Sequence, residues 1–114
     1  MATTIDLTAK TPINIVHKIK KHGILVITVK ENGVILPIDG ATIFYKAGSI
    51  ISKSVGSGIA ITDGPNGEFE ITFEEDDANT ITTKTIVQHE CNLVLSGETL
   101  PLFDGYLTLE TTLF

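Results

Sequence analysis

The chain has 114 residues, 42% of them hydrophobic, with 8 Lys plus Arg against 14 Asp plus Glu for a formal charge of −6 at pH 7. That is enough for one domain with a modest core, and because every basic residue is a Lys, the planar fork that grips phosphates is missing and the acidic balance argues against a nucleic-acid partner. No apolar run reaches the length of a membrane span, so no membrane partner is expected; the first residues lack a secretion signal, and the lone Cys91 cannot form an internal disulfide, which fits synthesis in a cytoplasm.

Ile, Thr and Val fill roughly a third of the positions, and β-branched side chains favour a pleated surface over a helix. In chain order, Ile13-Asn14-Ile15-Val16 after Pro12 predicts a short first strand. Gly23 to Lys30 alternates Leu25, Ile27 and Val29 with Val26, Thr28 and Lys30 and ends in the Glu31-Asn32-Gly33 turn. Val34 to Ile38 carries Pro37, which cannot donate to a ladder and marks an edge. Ala41 to Lys46 places Ala41, Ile43 and Tyr45 on one face and Phe44 on the other. Gly58 to Thr62 pairs with Phe69 to Phe73 across the Asp63-Gly64-Pro65-Asn66-Gly67 turn. The acids before Ala78 predict a short helical turn within Glu74 to Thr83. Thr85 to Leu95 is a long strand that Ser96-Gly97-Glu98 reverses into a last one around Gly105 to Thr111. The expectation is an all-β fold: a single immunoglobulin-like antiparallel β-sandwich of about seven strands with one short helical turn. It spans 1–114, with 1–12 and 112–114 as extended arms.

No catalytic motif emerges. His89 and Cys91 lie two apart on one strand face, their Cα atoms roughly 6.5 to 7 Å apart, too far for a direct thiol–imidazole bond. They share that face with Val87, Leu93 and Leu95, so a core thiol beside a rim histidine is expected. His17 and His22 are five apart, a spacing that aligns them on neither a strand nor a helix face, so His17-Lys18-Ile19-Lys20-Lys21-His22 reads as a solvated basic segment. Asp63, Asn66, Glu68 and the acids from Glu74 to Asp77 do not follow calcium-loop spacing, and the acid run reads as a solvated turn. No enzymatic activity, cofactor or metal site is expected.

Four stretches together carry a likeness: Ile13-Asn14-Ile15-Val16; Leu25 to Glu31 with its Glu-Asn-Gly turn; Leu36-Pro37-Ile38-Asp39-Gly40-Ala41-Thr42-Ile43-Phe44; and Asp63-Gly64-Pro65-Asn66-Gly67-Glu68-Phe69. With Glu74 to Asn79 as the acidic turn and Gly105-Tyr106-Leu107-Thr108-Leu109 as the ending, residues 13–111 resemble the immunoglobulin-like domain of tailed-phage virion proteins of the baseplate-upper, tail or head-fibre type. The chain departs from that pattern at His17 to His22, where the family usually has a short acidic or Gly-Asp turn, and no fibre, coiled-coil or receptor-binding segment is expected to follow the domain. The resemblance brings no catalytic residues. It implies a non-enzymatic accessory protein of the virion, made in the host cytoplasm, that binds other virion proteins and copies of itself on the head, neck, tail or baseplate. His17, Lys18, Lys20, Lys21, His22, Pro37, Leu113 and Phe114 are the candidate assembly contacts. The competing expectation is a host glycan or receptor-binding module that uses Phe44, Tyr45, Phe103 or Tyr106.

Overall fold

The computed structural model describes residues 2–7, 12–18, 22–74, 77 and 81–110. Those residues form ten strands: β1 (Ala2–Asp6), β2 (Ile15–Lys18), β3 (Gly23–Glu31), β4 (Val34–Ile35), β5 (Thr42–Ala47), β6 (Ile51–Val55), β7 (Gly58–Asp63), β8 (Glu68–Phe73), β9 (Thr85–Leu95) and β10 (Glu98–Glu110). They follow one hydrogen-bonded path, β1-β3-β8-β7-β6-β5-β9-β10-β2, with β4 attached to β3. The path is thin at β6–β7, where only Ser54 pairs with Gly58 and Val55 with Ile59. That joint divides a curled sheet into two layers that face each other.

Alternation places the core between the layers. Leu25, Ile27 and Val29 of β3 and Phe69, Ile71 and Phe73 of β8 point inward from one layer. Ile43, Tyr45 and Ala47 of β5, Cys91 and Leu93 of β9, and Leu107 and Leu109 of β10 point inward from the other. The Tyr45 ring meets Phe73 edge-on, with centroids 5.7 Å apart and planes at 85°, so the two layers are in direct aromatic contact.

The all-β class expected from the sequence holds. The count and pairing are corrected: there are ten strands rather than about seven, and the sheet is mixed, because β1 lies parallel to β3, β2 to β10 and β6 to β7. Residues 2–6, within the stretch expected to trail as an arm, form β1 and bury Ile5. The helical turn occurs as a 3₁₀ turn at Gly64–Asn66, where Pro65 presets φ at the start and Gly67 closes the turn at φ 71°. The stretch Glu74 to Thr83 lies partly outside the described residues, and those of it that are described are not helical. Asn32 and Gly33 both take positive φ, 54° and 79°, in the tight turn between β3 and β4. The Asp6 carboxylate accepts from the Asn32 and Gly33 amides at 3.0 and 2.7 Å, tying β1 to that turn.

Candidate functional site

His89 sits on β9 and is 2% exposed. Its Nε2 is 2.6 Å from the Ile13 carbonyl oxygen, which can only accept, so Nε2 carries the proton and donates. Nδ1 then accepts from the Tyr45 hydroxyl at 2.9 Å. Desolvation pushes the His89 pKa below its ordinary 6.5, outweighing the Ile13 hydrogen bond and the Asp104 charge, so the ring is neutral. Burial, with a smaller contribution from Cys91, raises the Tyr45 pKa and keeps its phenol protonated as the donor. Burial also raises the Cys91 pKa, holding it as an unreactive thiol in the core.

This linkage pins the segment before β2. Ile13 N–H donates to the Asp104 carbonyl at 2.8 Å, and the Asn14 side-chain oxygen accepts from Tyr106 N–H at 3.0 Å. The close approach depends on Gly105 at φ 139°, where a Cβ would collide with the Ile13 carbonyl oxygen. A bulge between Pro101 and Phe103 reaims β10 just before this point and turns both Leu102 and Phe103 inward.

The pinned segment forms one wall of an open cleft of about 570 Å³ on the outer face of β5, β9 and β10. Pro12 lines it with Lys46, Gly48, Gln88, His89, Glu90, Asp104, Gly105 and Tyr106. Register sets the polar groups: Glu90 stands between Lys46 on β5 and Asp104 on β10, and Gln88 stands opposite Tyr106. The Tyr106 side is half-exposed at 50%, unlike Tyr45 and Phe103 in the core. Sequence reasoning singled out Tyr106 as an aromatic but not the group around it, since Pro12, Lys46, Glu90 and Asp104 meet only through long-range pairing.

Beyond the cleft on the same face, Val16 of β2, Thr108 of β10 and Ile86 of β9 align in register, with Val16 64% and Ile86 60% exposed. The candidate contacts are scattered. Lys18 is exposed and pairs with Glu110 at 3.3 Å. His17, read as solvated, is half-buried, its ring 5.1 Å from Phe73, because alternation along β2 turns Ile15 and His17 inward and Val16 and Lys18 outward. His22 is exposed ahead of β3, whereas exposed Pro37 follows Leu36, whose amide donates to the Val29 carbonyl in the far half of β3, ~20 Å away at the usual strand rise. Lys20, Lys21, Leu113 and Phe114 lie outside the described residues.

The acid run is also corrected at Asp77. Lys53 points inward from β6 and binds both Asp77 oxygens at 2.8 Å, and the Asp77 carboxylate also accepts from Glu74 N–H at 2.7 Å. Asp63 accepts from the Asn66 amide at 2.8 Å and Glu68 from the Thr62 hydroxyl at 2.9 Å. These carboxylates hold turns and loops in place.

Neither a protein-family model nor a curated protein matches the sequence. Among solved structures, the fold is similar to the N-terminal domain of phage TP901-1 ORF48, with a TM-score of 0.51, 13% identity, and coverage of 96% of this chain and 95% of that one. At that identity the likeness is one of fold.

Proposed function

We propose that this chain is a non-enzymatic structural protein of a tailed-phage virion that docks on a particle surface in several copies. The observation that carries the proposal is the end-to-end correspondence with a phage domain, which accounts for nearly all of both chains. The in-register Val16–Thr108–Ile86 row supports a docking role, because exposed apolar side chains grouped on one rigid sheet face favour a partner over water. Lys18, two residues from Val16 on the outward face of β2, pairs with Glu110 beside that row and supplies a polar rim. The head, neck, tail and baseplate are the surfaces open to it, and other virion proteins and further copies of the chain are its partners.

The test is co-sedimentation of the purified chain with heads and with tails separated from the phage that encodes it, alongside light scattering of the chain alone. Pelleting with one particle and its loss in Ile86→Glu are expected. A monomer that stays in solution with both particles would overturn the reading.

A further inference from the structure

We propose that the cleft between Pro12 and Gly48 is a saccharide-binding site, specific for a neutral or amino-bearing pyranose. The inference goes beyond particle docking and uses different residues. Three observations carry it. The cleft, at about 570 Å³, has the volume of a small-ligand site and is open to solvent. Tyr106 presents a half-exposed ring along it, a flat apolar surface with a polar tip, which suits the C–H face of a sugar ring. Around that ring stand the Gln88 amide, the Glu90 and Asp104 carboxylates and the Lys46 ammonium, none of which has a side-chain hydrogen bond or ion pair within the described residues.

The chemistry of those groups selects the ligand. Each ionised carboxylate offers two acceptor oxygens, suited to neighbouring hydroxyl donors, and Gln88 and Lys46 supply the donors for a hydroxyl or ring oxygen. Two carboxylates against one ammonium disfavour an acidic sugar or a phosphate and tolerate an amino group. A purely apolar ligand would strip water from four polar groups and return nothing to them. The walls are rigid where it matters: His89 and Gly105 hold the Pro12 wall, and the Gly48 amide donates to the Gln88 carbonyl at 2.9 Å.

The experiment is an NMR titration of the full chain with glucose, galactose, N-acetylglucosamine and glucosamine, with glucuronic acid as the acidic comparison. Expected are amide shifts confined to 46–48, 88–90 and 104–106 with at least one of the first four, and weaker or no shifts with glucuronic acid. Tyr106→Ala should weaken binding about tenfold. Glu90→Gln should weaken it with the ring left in place, and Phe44→Ala, on the same face but outside the cleft, should leave it unchanged. The proposal is overturned if no sugar shifts these amides, if Tyr106→Ala and Glu90→Gln bind as the parent does, or if the same amides shift with protein concentration alone, which would place a second copy in the cleft. Particle docking is read separately, from sedimentation of Ile86→Glu, so either reading can fail without the other.

Discussion

At residue 89 one proton decides which partner each ring nitrogen takes. The neutral imidazole donates to Ile13 and accepts from Tyr45, whereas a second proton would turn Nδ1 into a donor facing a hydroxyl that already donates. Because the folded pKa lies below 6.5, the unfolded chain takes up a proton that the native ring refuses as pH drops below that value. The stabilisation from neutral His89 is therefore whole above about pH 6.5 and is lost progressively below it, by at most about 1.4 kcal/mol per pH unit. Urea midpoints at neutral and mildly acidic pH should diverge more in the parent than in His89→Gln, whose amide can still donate to Ile13; equal divergence would contradict the account. Lys53 poses the complementary problem of an inward charge, with side chains of the pair 9% and 16% exposed. Asp77→Ala leaves the ammonium buried and unpaired and should cost about 3 kcal/mol in urea unfolding, whereas Lys53→Met removes the charge, keeps the stem and should change stability by about 1 kcal/mol or less. The reverse order would show that the pair is not what holds Lys53 inside.

Among the elements, the margins of the sheet depend on short strands. β1 covers the outer side of β3 from Val26 to Lys30 with a parallel ladder and holds the Asn32-Gly33 turn through Asp6. Deleting residues 1–7 bares that margin, and an uncovered strand of this length is a template for another chain. Light scattering should then show association that rises with concentration; a deletion variant that stays monomeric would count against a covering role for β1. The same elements explain what could be read ahead of the structure. β8 was legible because it alternates apolar and polar residues without interruption, and β3 and β9 because they are long runs rich in apolar and β-branched residues bounded by turn signals. β6 was not, because Ile51-Ser52-Lys53-Ser54 puts a charge where a core residue belongs and only the distant Asp77 explains it. Among its described side chains β1 shows one buried apolar group, Ile5, too little to make a pattern. β10 begins well before its expected start because the bulge turns consecutive Leu102 and Phe103 the same way and breaks the period of two. The cleft drew on three strands and two loops and left no local trace beyond Tyr106.

Across the whole molecule, one core serves both layers. Tyr45, Phe73, His89 and Phe103 form a chain of ring contacts from one layer to the other, so neither layer keeps its packing without the other. The thin β6–β7 joint therefore does not mark a boundary between independently stable halves. Thermal or urea unfolding followed by backbone and by tyrosine circular dichroism should give coincident transitions, and separated midpoints would show that the layers unfold apart. The parallel ladder between β2 and β10 has a mechanical consequence. Ile15 pairs with Leu107 and Lys18 with Glu110, so the chain enters this ladder at one end and leaves it at the other. Tension applied along the chain through these two strands runs along the ladder and loads its hydrogen bonds in shear, all at once, instead of peeling them open one by one. This four-residue ladder at the margin of the sheet is thus oriented to resist pulling.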